Sequence, residues 1–555
     1  MFIGIDIGGT FTDGVVISAQ KVIKSIKVPT HEDISLSIEN ALKQILWDIE
    51  PQKIKQVTLS TTLITNLIMQ DKLAKAGLLL FPGPGANPHQ LNFACPYKIL
   101  HGAIDYRGRI IEPLDWAEVE EACQHFLDKQ INHLVVACKF SQRNPALEEQ
   151  VTEFLQKNYP QIKVLASHKV SGLLNWVRRT NGTFYTLTTR DTCCSFQENI
   201  TTTLKKLGLN CPIYILKADG GTLPLDISLR YPLETIFSGP AASTLGALAC
   251  TKEKTTSVVI DIGGTTTDLA LLLEGEPLLA ERGAFINNYP VPVRSVAVSS
   301  LALGGDTSLL IDKNIVSFGQ RQGPALCVGG PVLTITDILV YSGYSNIASP
   351  ELIKDKVEEM AQALQLTPQQ FSKQVLEMFV KQLENKLKAM FKSWEEEPAY
   401  RIWQVLSAEK ERPQTLVCLG GPAIGIGKFW STQKKWQVLV PPHSSIANAI
   451  GAALARTTLK LDFFADTERK TYTTNIGGLQ GTLSKRLNNI EEAKEFALDL
   501  FQETAHDWQL TEDTPLETLY EEGFNIVRGW RTAGRIFQIG LQTVPGIRAF
   551  LKEVE

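Results

Sequence analysis

The 555-residue sequence has nine cysteines but no CxxC pair, eight histidines but no HxH or HExxH, and no 18-residue run free of polar residues. The cysteine pattern argues against a disulfide framework or a zinc ribbon, and the adjacent Cys193 and Cys194 read as small buried hydrophobes. The histidine pattern offers no local zinc site, and without a long apolar run no membrane helix is expected. There is no basic excess either: 55 Lys plus Arg against 59 Asp plus Glu leaves a net charge of −4, so no nucleic-acid partner is expected. A P-loop is absent, since Lys428 of Gly425–Ile–Gly–Lys–Phe429 is followed by Phe and not by Ser or Thr, and no GxGxxG follows a strand. The N-terminus lacks a positive segment and places Asp6 in what would be an apolar core, so no signal peptide is expected and the cytoplasm is the expected compartment.

What is present is a near-duplication. IDIGGTFTD at 5–13 recurs as IDIGGTTTD at 260–268, 255 residues later, with only Phe11 replaced by Thr266. Each copy lies between two apolar, β-rich runs and reads as a strand, a Gly-Gly turn and an antiparallel return strand. A turn built from Gly8, Gly9 and Thr10, or from Gly263, Gly264 and Thr265, is bare enough for its N–H groups and hydroxyls to approach phosphate oxygens. Thr12 and Thr266 are candidates for the same role. Asp6 and Asp13, with Asp261 and Asp268, place hard oxygens around each turn, as a hydrated Mg²⁺ requires. Two facing turns would hold the β and γ phosphates from both sides of a cleft.

The rest of the first third alternates helices (34–48, 116–130, 146–158) with strands (76–81, 133–140) and a strand at 57–66 that runs into a loop and helix, the pattern of an α/β architecture. A strand at 214–221 ends in a polar turn carrying Asp219. Ser238-Gly-Pro opens a small-residue helix whose start serves either as a cap or as an anion site. Thr367, Pro368 and Gln370 form a capping box ahead of a long amphipathic helix. The charged stretch from 395 reads as a surface connection. The strand from 415 breaks into Gly420, Gly421 and Gly425, a turn suited to a flat adenosine ring, and 444–455 reads as a closely packing Ala/Gly helix. Helix 489–508 and a strand-like end from 524 complete the chain.

Taken together, DIGGTFTD, DIGGTTTD, SGPAAS (238–243), LKADGG (216–221), LTITD (333–337), LGGPAIG (419–425) and NAIGAALA (448–455) resemble the A subunit of the hydantoinase/oxoprolinase family. The resemblance runs in order over about residues 1–457. It implies an α/β fold of two related RNase H-like lobes of the actin/hexokinase type around a nucleotide cleft, with an α/β insertion and a C-terminal α+β region. The implied divisions are 1–185, 186–457 and 458–555. It further implies an enzyme that uses ATP and Mg²⁺ to phosphorylate the carbonyl oxygen of a small cyclic amide or imide before water opens the ring. A B-type partner subunit belongs to that picture, and self-association is an open possibility. Asp6 and Asp261 would orient Mg²⁺, while Asp13 and Asp268 would support the metal or the attacking group. The chain departs from the family at Leu59, where a His is usual, at PGPGANPH (82–89), and at Asp306, where a third glycine is common. A regulatory or assembly ATPase and a small-molecule kinase are the alternative readings.

Overall fold

The computed structural model describes residues 1–251, 256–280, 283–313, 315–396, 412–476, 479–508, 510 and 514–552. Both IDIGGT segments form the hairpins expected of them. In the first, strand Phe2–Ile7 runs antiparallel to Phe11–Ser18, which pairs onward with Lys21–Pro29. On its other side Phe2–Ile7 is parallel to Gln56–Thr61, which is parallel to Ile213–Leu216. In the second, Ser257–Ile262 runs antiparallel to Thr267–Leu273, which pairs with Val298–Leu301. Ser257–Ile262 is in turn parallel to Thr415–Leu419, and that strand to Gln437–Leu439. The two sheets therefore share one order: an antiparallel three-strand meander, then two parallel strands reached by crossovers. The sequence repeat is thus a repeat of fold, two RNase H-like lobes.

The crossover in the first lobe carries an insertion. A four-stranded parallel sheet (Lys163–Ala166, His133–Cys138, Ala76–Phe81, Tyr97–Ile99) packs against helices Trp116–Asp128 and Ala146–Asn158. Its central strand Ala76–Phe81 is buried at every position, as expected of a strand covered on both faces. Helix Trp176–Lys206 returns the chain to the first lobe. The division expected at residue 185 falls inside this helix, and the first sheet is completed by strands beyond it. After the second lobe, Lys460–Asp466, Thr471–Thr474, Gln480–Thr482, Leu516–Arg528 and Arg531–Thr543 make an antiparallel sheet that packs on helix Ile490–Asp507. The capping box at Thr367 is present, and the helix it opens, Pro368–Glu395, buries Phe371, Val375, Phe379, Leu383, Leu387 and Phe391 in the second lobe. Most of the charged stretch from 395 lies outside the described residues.

Two helices join the lobes. Ser238–Thr251 and Ala447–Leu454 cross so closely that a Cβ on Gly246 would meet the Ala447 carbonyl oxygen at 2.1 Å, and one on Gly451 the Ala242 oxygen at 2.1 Å. Gly4 of the first hairpin is equally tight against the Ala449 oxygen. Small residues are what allow backbone to lie on backbone here. The apolar layer around this crossing combines Val15 and Ile17 of the first lobe with Val259 and Leu272 of the second.

Candidate functional site

The tips of the two hairpins close with the same hydrogen bond. Gly8 N–H donates to the Phe11 carbonyl at 3.0 Å, and Gly263 N–H to the Thr266 carbonyl at 2.9 Å. In each, the two aspartates face one another across the ladder, Asp6 opposite Asp13 and Asp261 opposite Asp268. The parallel strand Gln56–Thr61 sets Ser60 beside Asp6.

The four carboxylates gather between the lobes. Burial pushes Asp6 up to about 7, and Asp13 and Asp261 push the same way against the opposing pull of Ser60 and Asn448. Burial likewise pushes Asp268 up to about 6, with Asp261 adding to it and the Ser300 hydroxyl, donating at 2.5 Å, working against it. Asp13 is raised by burial even though Lys27 lies 2.5 Å away. Asp261 accepts from the Ser243 hydroxyl and from Asn448 Nδ2 at 3.1 Å, so both joining helices hold it.

A cation is the group this arrangement calls for. Burial first, and then the charge of Asp261, raises the proton affinity of Asp6, Asp13 and Asp268, and a divalent ion would relieve that concentration of negative charge. Among the described residues no three acidic, His or Cys side chains are close enough to cage a metal directly. Hard oxygens set apart in this way fit an ion that keeps most of its waters, as Mg²⁺ does.

The expected phosphate groups do not all face the cleft. Gly9, Thr265 and Thr266 are exposed, and a Cβ on Gly9 would meet nothing within 4 Å. Thr12 does not belong with them: it is fully buried, its hydroxyl lies 3.0 Å from that of Thr30, and Thr30 in turn donates to the Gly8 carbonyl. Thr267 takes the equivalent place in the second hairpin, donating to the Leu303 carbonyl at 2.6 Å. Both threonines point away from the turn because strand alternation puts them on the core face.

The glycines after strand Thr415–Leu419 also divide. Gly420 has φ +96°, and a Cβ there would strike the Ile262 carbonyl and Asp261, so it lets this loop pass under the second hairpin. Gly421 is exposed with open space beside it. Gly425 is buried in helix Ala423–Ser431 against Leu339 and is a packing residue, not a surface for adenosine.

The sequence reading did not single out Lys27, Ser300, Ser243 or Asn448. The last two lie inside quoted motifs, but only folding brings positions 18 and 187 residues away to the same carboxylate. Asp306 has a defined place. The N–H groups of Gly305 and Asp306 donate to the Gly263 and Gly264 carbonyls at 2.9 and 2.8 Å, and Asp306 faces Gly264 while taking a 3.0 Å bond from Arg321. The second turn is thus partly covered by an acid paired with an arginine, whereas the first is backed by Thr30, with open space beside Gly9.

A family model described as Hydantoinase/oxoprolinase matches residues 179–460, and one described as Hydantoinase/oxoprolinase N-terminal region matches residues 2–159. The chain is 26% identical over 378 residues to caprolactamase subunit alpha of Pseudomonas jessenii, covering 62% of this chain and 54% of that one. It therefore spans about half the length of that enzyme subunit. An uncharacterized protein of Methanocaldococcus jannaschii is 25% identical over 500 residues, 82% of this chain and 72% of its own. The crystal structure of the ATP-dependent caprolactamase from Pseudomonas jessenii superposes with a TM-score of 0.72 at 18% identity, covering 100% of this chain and 89% of that one.

Proposed function

The chain belongs to the hydantoinase/oxoprolinase family, and from that premise we propose that it is an ATP-dependent enzyme that activates and opens a small cyclic amide or imide such as a hydantoin or 5-oxoproline. The observation that carries the reading is the pair of hairpins in equivalent register whose four aspartates share one electrostatic field. A ring amide is a poor electrophile. Transfer of the γ-phosphoryl group to its carbonyl oxygen breaks the bond to ADP and forms an O–P bond. Water then attacks the carbonyl carbon, and the C–N bond opens as phosphate is released. The turn N–H groups and Thr10 and Thr265 would hold the transferring phosphoryl group. Asp6 and Asp261 would hold Mg²⁺ through its waters, and the ion would neutralise charge on the phosphates. Asp13 and Asp268, beside them on the return strands, would orient the attacking water. The relative's designation as a subunit alpha supports a B-type partner for this chain.

The test is ATP turnover with a panel of lactams, hydantoins and ketones, with and without a co-purified partner. Hydrolysis stimulated by a cyclic amide and yielding the opened ring is the expected result. A stable phosphorylated product would instead make the protein a kinase. Turnover stimulated by a partner but indifferent to every small molecule would make it an assembly ATPase.

A further inference from the structure

A cavity lies at the joint between the insertion and the C-terminal sheet. The short hairpin of Ala103–Ile104 and Ile110–Glu112 in the insertion brings Arg107 and Arg109 to it. Strand Lys460–Asp466 brings Phe464 and Asp466, and the turn after that strand brings Glu468 and Arg469. The joint is pinned at one atom, the Gly108 carbonyl oxygen, which accepts from Arg469 Nη2 at 2.8 Å and from Asn144 Nδ2 at 2.9 Å. About 310 Å³ is open to the centre of a water molecule. One water needs roughly 10–15 Å³ by that measure, so the space is large enough for an organic anion. None of the lining residues belongs to the two Gly-Gly-Thr hairpins or to the joining helices.

Its charge is one-sided. Five arginines line it against two carboxylates, in a chain whose net charge is −4. Arg109 is paired with Asp105 at 2.6 Å and Arg528 with Glu468 at 2.7 Å. The other three, Arg107, Arg143 and Arg469, have no carboxylate partner among the described residues. The Arg107 side chain donates only to the Tyr106 hydroxyl, and that of Arg469 only to the Gly108 carbonyl.

Arg143 supplies an independent sign. It is half-buried, and its guanidinium carbon lies 3.5 Å from the centre of the Phe464 ring. Its side chain donates no hydrogen bond among the described residues. Burial pushes this guanidinium down to about 10, with the charge of Asp466 pulling the other way. The aromatic face offsets part of the lost hydration, but it leaves the N–H groups in the guanidinium plane without an acceptor. A carboxylate or phosphate group accepts two of them at once. Donors withdrawn from water and left unmatched are costly until such a group enters.

We propose that this cavity binds a small anion carrying several phosphate or carboxylate groups, a ligand distinct from the molecule turned over in the cleft. Arg143 takes one oxyanion group beside Phe464, and Arg107 and Arg469 take the others. Three unneutralised guanidiniums exceed what a single phosphate, with a charge of about −1.5 to −2 at neutral pH, would balance, and match a di- or triphosphate or a tricarboxylate. Ile526 and Val527, on strand Leu516–Arg528, also line the cavity and give an organic ligand apolar contact. Because Arg107 and Arg143 belong to the insertion and Arg469 to the C-terminal sheet, the bound anion ties the two together. The site stands whether or not the reading of the hairpins does.

Calorimetric titration of the full chain with tripolyphosphate and, separately, with citrate tests the site, at low ionic strength and without nucleotide or Mg²⁺. The expected result is saturable binding that weakens as salt is added and is accompanied by a rise in melting temperature. Tighter binding of tripolyphosphate assigns the site to phosphoanhydrides, and tighter binding of citrate to polycarboxylates; either supports it. Arg143→Gln lowers the affinity at least tenfold. Arg107→Gln, at an exposed position where folding is not at stake, does the same independently. Affinity unchanged in both folded variants places the anion elsewhere and overturns the proposal, as does the absence of saturable binding by either anion at millimolar concentration. An acidic peptide that binds where neither small anion does also overturns it, by making the cavity a protein-docking surface.

Discussion

Asp261 is the residue on which the second hairpin and both joining helices converge, through Ser243 and Asn448. Asp261→Asn keeps the shape and the hydrogen-bonding size of the side chain but removes its charge, so ATP turnover should fall by on the order of 10²-fold or more while circular dichroism is unchanged. Unaltered turnover would refute the phosphate-site assignment. Asp6 makes a different prediction, because its carboxyl is raised to about 7 from an ordinary value of 3.8. Between those values the folded protein holds a proton that the unfolded chain has released. This contribution to stability is present at low pH, declines as pH rises toward about 7, and is flat above. Asp6→Asn should abolish turnover yet melt higher than the unaltered protein at pH 8, with the gap closing toward pH 5. Thermal melts across that range without nucleotide or Mg²⁺ check the sign, and a gap independent of pH would show that Asp6 is not held in the acid cluster.

At the scale of elements, the joining helices are an exchange of side-chain bulk for closeness. Their buried residues include Ala241, Ala242, Ala247, Ala449 and Ala453, and the contact is backbone against backbone at Gly246 and Gly451. Gly451→Ala places a Cβ where the Ala242 carbonyl oxygen stands, and backbone cannot yield as a side chain can. The expected loss is about 1–3 kcal/mol or more, read as a lower midpoint in denaturant unfolding. Gly9→Ala is the control: its Cβ enters open space and should leave the midpoint nearly unchanged. The hairpins, the strand Ala76–Phe81, the helix Ala146–Asn158 and the capping box at Thr367 were all legible in the sequence, because each declares itself by local pattern. Gly425 was misread because a glycine that admits a ligand and one that admits a neighbouring Leu look alike until the neighbour is placed. Thr12 was misread because side-chain alternation within the hairpin sends it to the core face, although it lies only two residues past Thr10.

For the whole molecule, two lobes joined at a close-packed crossing make a cleft whose occupancy couples to stability. A ligand bound only by the folded state stabilises by about 2.7 kcal/mol at a hundred times its dissociation constant. Mg·ATP should therefore raise the melting temperature, Asp261→Asn should lose most of that rise, and an equal rise in both would place the nucleotide elsewhere. The sequence alone determined that there are two related lobes and that each opens on a Gly-Gly-Thr hairpin, since a nine-residue repeat with glycines and aspartates in fixed places records backbone geometry and charge locally. Tertiary structure alone decided which of those residues share a site. Ser243 and Asn448 meet Asp261, and Asp306 covers the second turn, because contacts between residues far apart in sequence follow from how sheets and helices stack and leave no spacing in the chain to be read.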